Sequence, residues 1–586
     1  MTRLSGRIAA AWLGRRSDTG LFVDPLTGGS GHGYGPAALA GALMRAGRER
    51  GDPHMLRAGV RALRVNSERA LDDGTPGNPI ELFAIVSAYR WAQAHLASDP
   101  VWRRGASGPR RYLERWTGAA VGRAARRCFA DPSCWNNYKA IRAAGVLMLL
   151  ETGLPARSPG SPLADPQRAR ERELAVLTRE VGRAIGRRAT AQGPGISLSG
   201  LGLLSDQPTY PLAYHALSVA AIARALATLG DAAPAAAREH FRRAMLAEAA
   251  FMAPDGDMTY LGRAQGESWA LGATAYAGEE CAAMFRASHP GSAGICAGLA
   301  VRAAERLRTA YRFRRGVLPI VPRFSVQPLT GHGLEHYVRV MTFNGLTAMF
   351  LADAAAAAPD LRAAALPLDR GGAFADHDRA RLAAVRHGRV WFAVHTVGPS
   401  GVEDVRYDFG LVALKLQRGR RWVDVVSQRP FLSGLFDGGG PALVTTAGLA
   451  FPRAPRFTAD PRTGVVTARG GYRYRGGPWA VTGERFRFAP LARGVRITVT
   501  APPGASLRFQ DFLPAAFTMS LDGGAALQTP TASSRLSVPP LSVTTGLEGA
   551  SATAAALVGF RRLVTVPPDG RVSWTVTGRS VSALGR

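Results

Sequence analysis

Cysteine and lysine are scarce in this chain. Its 586 residues include four cysteines and only two lysines. The cysteines form two close pairs, Cys128 with Cys134 and Cys281 with Cys296. Neither pair has C-x-x-C spacing and no histidine stands at a zinc-finger distance, so a structural metal is not expected. Local pairing fits two disulfides in an exported protein, and four buried free thiols in a cytosolic protein are an open alternative.

Long apolar runs are also absent. No stretch approaches the length of a membrane-spanning helix, so no membrane span is expected. The first twenty residues hold only a short apolar run, 8–13, before two arginines. This pattern is too weak for a signal peptide, and the sequence does not show an export route.

Arginine supplies almost all of the positive charge. Basic residues outnumber acidic ones by 73 to 43, which gives a formal net charge of +30. Such a surface attracts polyanions, namely nucleic acid, anionic lipid or acidic polysaccharide. The arginines form no basic block and no nucleic-acid motif is present, so nucleic acid is the weakest of these partners. Arginine also pairs well with carboxylates and sulfates, which favours an acidic polysaccharide.

Two kinds of periodicity divide the chain. From about residue 35 to 357 the pattern is helical, as where Val219, Ile222 and Leu226 precede a stop at Gly230. From about residue 384 short alternating segments separated by Gly and Pro predict strands. The helices follow one another at irregular spacing, which favours a toroid over a uniform solenoid. We therefore predict a multidomain α+β protein: an incomplete (α/α) toroid over residues 1–365, followed by an antiparallel β-sandwich over residues 366–586.

Polar side chains stand at the head of apolar helical patterns in three segments. The first segment is Trp135-Asn136-Asn137-Tyr138 and the second is Tyr214-His215. The third contains Tyr260, Arg263 and Glu267. A lone inward Asn or His is more often a hydrogen-bonded core residue, so the combination carries the functional interpretation. In a ring of helices, several N-terminal ends meet at one rim and form a cleft.

The catalytic prediction is β-elimination next to a carboxylate. Removing the C5 proton of a uronic acid puts charge onto the adjacent carboxylate, which Asn137 and Arg263 would stabilise. His215 is the candidate base, and Tyr260 is the candidate acid and an alternative base. The predicted substrate contacts are Trp135, Asn136, Tyr138, Tyr214, Glu267 and His336.

Neither a metal nor a cofactor is predicted. His332 and His336 stand four residues apart, but no third ligand is evident. The glycine-rich segment 29–35 lacks GK[ST] and no strand clearly precedes it, which excludes a nucleotide loop. Its His32 and Tyr34 are instead candidates for lining a glycan cleft. In the β region, one side chain of the segment 406–408 is a candidate for reaching that cleft.

These segments resemble polysaccharide lyases that join an (α/α) toroid to an antiparallel β-sandwich, of the hyaluronate/chondroitin, alginate and heparinase II/III types. The resemblance lies in Trp135-Asn136-Asn137-Tyr138, Tyr214-His215 and Tyr260-Leu261-Gly262-Arg263. It implies metal-independent β-elimination, an acidic glycan substrate and a secreted or cell-surface location. The Tyr-to-His spacing departs from the hyaluronate group, and the Asn pair lacks the following His of the alginate group.

Two other functions remain open. An inverting glycoside hydrolase would need two carboxylates across the bond, for which Asp255 or Asp257 with Glu267 are available. A non-catalytic glycan-binding protein would use the basic surface for salt-sensitive binding.

Overall fold

A computed structural model describes most of the chain, with helices up to Ala357 and strands from Gly372. The described residues are 1–74, 76–118, 128–129, 131, 134–204, 206, 210–314, 316–322, 339–398, 407–426, 441–514, 520–522, 526–528, 532–538, 541–548 and 557–578. One hairpin interrupts the helical part.

Helices make up most of the first half of the described chain. In chain order they are α1 (Thr2–Ala10), α2 (Tyr34–Arg50), α3 (Pro53–Asp72), α4 (Pro79–Leu96), α5 (Pro100–Gly105), α6 (Ser107–Arg115), α7 (Asn137–Leu150), α8 (Pro166–Ala175), α9 (Val181–Ala184), α10 (Leu212–Leu229), α11 (Ala235–Phe251), α12 (Ser268–Phe285), α13 (Pro290–Ala310) and α14 (Val340–Ala357). Four of them start at an Asp-Pro or Asn-Pro pair, whose first side chain caps the helix while the proline occupies its first position.

Six of these helices form a closed inner ring. Helix α2 contacts α4, and contacts continue through α7, α10 and α12 to α14, which returns to α2. Outer helices lie between them in sequence and reverse the chain direction, so the inner helices run parallel. Every inner helix contributes residues from its C-terminal half to the lining of a single cavity of about 370 Å³, among them Arg45, Trp91, Met148, Arg224, Glu280 and Asp353. The N-terminal ends therefore share the opposite rim.

Small residues let the inner helices approach closely. A Cβ atom on Gly345 of α14 would lie 2.4 Å from the carbonyl oxygen of Gly35 in α2, and one on Gly272 would lie 3.2 Å from Thr347 Cα. These glycines therefore stand where two backbones meet. The ring is closed by backbone proximity as well as by larger apolar side chains.

Two inner helices are long and apolar enough to cross a membrane by composition alone. They cover Leu212–Ala232 and Val340–Ala357, and 78% of each apolar window is buried inside the structure. Both belong to the ring, where each helix is surrounded by other helices. Their apolar character is thus accounted for by the core.

Two antiparallel sheets follow. The first has the order β2-β1-β3-β4-β5-β6-β7 and the second the order β14-β15-β16-β19-β12-β11-β10-β9-β8-β13-β18-β17. The strands are β1 (Ala189–Gly193), β2 (Ile196–Leu201), β3 (Gly372–Asp376), β4 (Leu382–His387), β5 (Val390–His395), β6 (Gly410–Arg418), β7 (Arg421–Val426), β8 (Ala442–Thr445), β9 (Gly448–Ala459), β10 (Val466–Tyr474), β11 (Trp479–Leu491), β12 (Gly494–Thr500), β13 (Ser506–Pro514), β14 (Ser520–Asp522), β15 (Ala526–Gln528), β16 (Ala532–Leu536), β17 (Ser542–Glu548), β18 (Leu557–Thr565) and β19 (Arg571–Gly578).

The first sheet is the middle layer of the molecule. Trp391 and Ala393 of β5 pack with the helical core, whereas Val390, Phe392 and Val394 pack with the second sheet. Every residue of β5 is buried, so the predicted alternation separates two apolar faces rather than an apolar face from a polar one. The toroid, first sheet and second sheet form three layers. The predicted class, a toroid followed by an antiparallel β-sandwich, is confirmed, and the inner ring is closed rather than incomplete.

The helical part contains a hairpin that its sequence pattern did not predict. Strands β1 and β2 lie between α9 and α10 in sequence, and β1 pairs with β3 of the first sheet. Ala, Ser and Gly make up more than half of their residues, and Ala and Gly are depleted in strands. Pairing with β3 supplies the stabilisation, and the two predicted domains therefore share one sheet.

The cysteines pair as local disulfides. Cys128 bonds to Cys134 and Cys281 to Cys296, with Cα–Cα distances of 5.1 and 5.8 Å. The second disulfide joins inner helix α12 to outer helix α13. Of the two alternatives for the cysteines, the structure shows the disulfides.

A buried lysine joins the first sheet to the toroid. Lys415 of β6 is fully buried, and its Nζ donates to Asp255, Asp257 and Asp424 at 3.0, 3.1 and 2.5 Å. Arg306 of α13 also binds Asp255, at 2.7 Å. These contacts keep the pKa of Asp255 lowered, to about 2, although burial alone would raise it. The network fixes the segment between α11 and α12 against the sheet.

Replacing Lys415 by methionine tests this connection. The Lys415→Met variant leaves buried carboxylates without their shared cation, so we expect a loss of roughly 3–5 kcal/mol of unfolding free energy. Urea denaturation measures it, with the exposed Arg420→Gln as control, expected within about 0.5 kcal/mol of wild type. Equal stability of the two variants would show that the network does not hold the layers together.

Candidate active site

The N-terminal rim of the ring collects polar side chains from five segments. Tyr34 begins α2, Asn137 begins α7, and Tyr214 lies in the first turn of α10. Glu267 and Arg339 are the N-cap residues of α12 and α14. The first backbone N–H groups of a helix and its dipole favour negative charge, so parallel inner helices make this rim suitable for an anion.

A buried carboxylate, Asp206, lies at the centre of this group. Its Oδ1 accepts from the backbone N–H of Asn137 at 2.9 Å and from Asn137 Nδ2 at 3.1 Å. Its Oδ2 accepts from Arg263 Nη2. Burial raises the pKa of Asp206, while Arg263 and both Asn137 hydrogen bonds oppose that rise. Asp206 thus fixes an amide and a guanidinium side by side.

Arg263 is held from three directions. Its Cζ lies 4.3 Å from the ring centroid of Tyr214, a cation–π contact. The Tyr214 ring in turn meets Trp269 edge-on, with ring centroids 5.5 Å apart. The backbone N–H of Arg263 donates to the hydroxyl of Tyr407 at 2.9 Å, which brings a residue of the β region to the rim. Of the segment 406–408, Tyr407 contacts the site, and Arg406 lies outside the described residues.

The loop that carries Arg263 has an unusual backbone. Ala264 has a φ of 61°, a conformation that costs energy for a residue with a side chain. Gly262 has a φ of 82°, and a Cβ there would lie 2.5 Å from Tyr407 Cε1 and 2.8 Å from Pro211 Cα. Only glycine satisfies both constraints, so backbone geometry places Arg263 as well as its ion pair.

Two further phenols border this group. Burial and the Asp206 carboxylate raise the pKa of Tyr138, while Arg263 opposes the rise. Burial, Tyr138 and Glu267 raise the pKa of Tyr34. Both phenols therefore hold their protons near neutral pH, which suits a proton donor.

Asn137 retains hydrogen-bonding capacity. A primary amide has two N–H donors, of which one is used by Asp206. Its Oδ1 is buried without a hydrogen-bond partner in the described structure, as is Oδ1 of Asn136. Such atoms are costly unless a ligand or water satisfies them. Asn136 is partly exposed at the rim, whereas Asn137 is 2% exposed and lies directly beneath it with its amide oxygen unpartnered.

His215 does not have the geometry of the predicted base. It is 1% exposed, and its Nδ1 accepts from the backbone N–H of Leu204 at 3.0 Å. Its Nε2 lies 3.9 Å from Oε2 of the buried Glu248. Burial lowers the pKa of His215 to about 3, so the ring stays neutral with its Nδ1 lone pair in use. The side chain faces inward as the spacing predicts, and it lies in the core.

Tyr260 likewise points inward. It is 1% exposed, its hydroxyl donates to the carbonyl oxygen of Phe251 at 2.8 Å, and its ring packs edge-on against Trp391. Burial and Asp257 raise its pKa well above that of an ordinary phenol. This geometry does not bring the predicted acid to the group around Asp206.

The predicted substrate contacts divide into accessible and buried residues. Asn136, Tyr138 and Tyr214 are partly exposed beside the Asp206 group. Trp135 is 2% exposed, and Glu267 is fully buried with its Oε2 accepting from Trp269. These two support the rim from beneath. The sixth predicted contact, His336, lies outside the described residues.

Asp206 and Arg339 were missed by sequence reasoning. Asp206 is a single acid in a loop, with no periodicity to mark the direction of its side chain. The only available signal was its position nine residues before His215, next to a segment already singled out. Within the described part of the chain, no group of three or more His, Cys, Asp or Glu side chains could hold a metal ion.

Solved structures of known proteins are similar to this chain. Heparinase III matches with a TM-score of 0.54 and 10% identity, over 98% of this chain and 84% of its own. A chondroitin AC lyase from Streptomyces coelicolor A3 matches with a TM-score of 0.49 and 14% identity, over 100% and 80%. An unsaturated glucuronyl hydrolase from Bacillus sp. GL1 matches with a TM-score of 0.38 and 15% identity, over 60% and 96%. No family model and no curated protein matches the chain.

The likeness to heparinase III runs along nearly the whole chain. This chain has the toroid and β-sandwich fold of such polysaccharide lyases. The resemblance drawn from three short segments is thereby confirmed at the level of the fold. At this identity the fold alone is established, and the activity is argued from the rim.

The pair formed by His215 and Glu248 gives a test of the core behind the rim. Burial raises the pKa of Glu248 to about 7 from 4.5. Between these two pH values the unfolded chain releases the proton of Glu248 and the folded protein keeps it. The contribution of Glu248 to the unfolding free energy therefore falls as pH rises, by on the order of 3 kcal/mol in total. We expect Glu248→Gln to remove this fall.

Urea denaturation from pH 4 to 7.5 measures the difference between the Gln variant and wild type. His215 contributes the opposite slope in both proteins, so the difference isolates Glu248. The exposed Glu49→Gln is the control and should leave the pH dependence unchanged. Parallel curves for wild type and Glu248→Gln would show that Glu248 is ionised in the folded protein.

Proposed function

We propose that this protein is a polysaccharide lyase that cleaves a uronate-containing polysaccharide by metal-independent β-elimination. The observation that supports it best is the joint positioning of Asn137 and Arg263 by the buried Asp206 at the N-terminal rim. An amide and a guanidinium side by side match the two oxygens of a carboxylate. A secreted or cell-surface location belongs to the same proposal and is supported by the two disulfides.

The carboxylate of the substrate is the group to be stabilised. As the C5 proton leaves, negative charge spreads onto that carboxylate, and Asn137 and Arg263 are aligned to receive it. Because Asp206 already fixes both side chains, little reorganisation is needed when charge develops. The positive ends of the inner helices add to the stabilisation.

Proton transfer is assigned to phenols of the rim instead of His215 and Tyr260. Tyr214 is the proposed base that accepts the C5 proton, because its partly exposed side chain lies at the rim with its ring against the guanidinium of Arg263. Tyr138 is the proposed acid, since its raised pKa keeps it protonated. The C4–O bond breaks, a C4–C5 double bond forms, and the leaving oxygen takes the proton of Tyr138.

A glycoside hydrolase is the weaker candidate. It would need two carboxylates across the scissile bond. Asp255 and Asp257 are engaged by buried Lys415, and Glu267 is buried against Trp269. None of the carboxylates considered for this role in the sequence is therefore presented at the rim.

The reaction is identified by the product it makes. We expect incubation with a panel of uronate polymers to give rising ultraviolet absorbance on at least one of them, because β-elimination conjugates a C4–C5 double bond with the carboxylate. Arg263→Gln, Tyr138→Phe and Tyr214→Phe should each abolish most of the signal. New reducing ends without absorbance would instead identify a hydrolase. The absence of both signals would indicate a glycan-binding protein without catalytic activity.

Asp206→Asn tests the proposed alignment. Removing the carboxylate charge frees Arg263 and Asn137 to move, so we expect kcat to fall by about 10²–10³-fold, as when a transition-state donor is lost. Asp231→Asn, at an exposed acid beyond the end of α10, is the matched control and should retain activity.

The variant is also combined with Arg263→Gln. If Asp206 acts through Arg263, the double variant should be little worse than either single one, because effects that share one interaction are not additive. Fully additive losses would show that Asp206 has a separate role. Thermal unfolding of each variant distinguishes lost alignment from lost fold.

A further inference from the structure

Three arginines oppose one another across neighbouring strands of the second sheet. In the register of β9, β10 and β11, Arg469 is directly opposite both Arg456 and Arg485. All three side chains are exposed. Strands lie about 4.8 Å apart, and like charges placed directly opposite destabilise a sheet. The fold itself gains nothing from this arrangement.

Two more arginines extend the row. Arg487 lies two residues beyond Arg485 on the same face of β11, and Arg496 is on the outward face of β12. These five residues, Arg456, Arg469, Arg485, Arg487 and Arg496, are called the arginine band. None of them forms an ion pair with a carboxylate in the described part of the chain.

Two acids on the same strands and turns as the band are engaged in other hydrogen bonds. Asp460 closes the turn between β9 and β10 by accepting from the backbone N–H of Arg462 at 2.8 Å and the hydroxyl of Thr463 at 2.7 Å. Glu484 accepts from the hydroxyl of Thr500. The positive charge of the band is therefore presented to solvent.

A cavity adjoins the band. It has a volume of about 590 Å³, and Thr498 on its wall is directly opposite Arg487 in the register of β11 and β12. Its polar walls are formed by Thr498, Ser537, Ser573, Arg571 and Asp569. Hydroxyl groups beside guanidinium groups suit a sugar that carries acidic substituents.

We propose that the arginine band and this cavity form a second binding surface, separate from the rim, for a chain of acidic sugars. It rests on the proposed function, since it would hold the same polysaccharide whose cleavage is assigned to the rim. The first sheet lies between this face and the toroid, so the surface acts on binding of the polymer and not on the chemical step.

The charge and composition of the surface favour a glycan over other polyanions. Single-stranded nucleic acid is bound by several stacked aromatic rings, and membrane surfaces by apolar side chains beside the charge. The exposed large hydrophobic residues of the described chain are Val301, Val444, Trp479 and Leu541, of which only Trp479 is aromatic. The band is instead interleaved with threonine and serine, such as Thr458, Thr467 and Thr498.

The test replaces Arg456, Arg469 and Arg485 together by threonine. Binding to heparan sulfate, chondroitin sulfate and hyaluronan is measured by calorimetry at low and moderate salt. The background is Arg263→Gln, so that turnover does not interfere. The matched control removes three exposed arginines of outer helices, Arg57, Arg103 and Arg104, by replacement with glutamine.

We expect the threonine variant to lose at least tenfold in affinity for one of these polymers, and the control to change less than twofold. In the protein with an intact rim, the threonine variant should raise KM for the polymer and leave kcat unchanged. Equal binding by the threonine variant and the control would overturn the proposal. So would losses confined to duplex DNA or phosphatidylserine vesicles, tested in parallel.

Stability provides a second readout. If the arginines oppose one another without a structural partner, Arg469→Thr should raise the midpoint of thermal unfolding while weakening polymer binding. A lower midpoint would show that the band contributes to the fold and would contradict the argument from like charge. Binding is measured in a variant that does not cleave the polymer. Absence of catalysis at the rim and absence of binding at the second surface are therefore observed separately.

Discussion

The parallel direction of the six inner helices is the constraint on which the rest of the structure depends. Each outer segment returns the chain to the same rim, so the N-terminal ends meet there and the C-terminal ends line one cavity at the other mouth. The aligned dipoles of six helices then place partial positive charge around a single opening. No individual helix would provide this field, and the polar residues at the rim act within it.

Buried charges hold the site together. Asp206 fixes Asn137 and Arg263 from within the toroid, while Lys415 anchors the segment before α12 to the first sheet. Burying such charges costs free energy, which the ion pairs and hydrogen bonds offset only when every partner is present. The arrangement therefore favours accurate placement of these side chains over tolerance of substitution.

The sequence predicted the fold from two periodicities, but it could not fully predict the site. Apolar spacing showed that Asn137 and His215 face inward, yet spacing does not distinguish a face that meets the core from one that meets a cleft. His215 meets Glu248 in the core, whereas Asn137 stands at a helix end and reaches the rim. Asp206 lies in a loop, where no period indicates direction, and only the folded chain places it.

The hairpin of β1 and β2 makes the two halves inseparable. Because β1 pairs with β3, removal of residues 1–365 would expose an edge of the first sheet, and removal of the remainder would leave the hairpin without its neighbour. Exposed strand edges recruit other chains. A toroid fragment or a sheet fragment expressed alone would therefore be prone to aggregate. Exchange of either half between proteins of this fold would have to move the hairpin with the sheet.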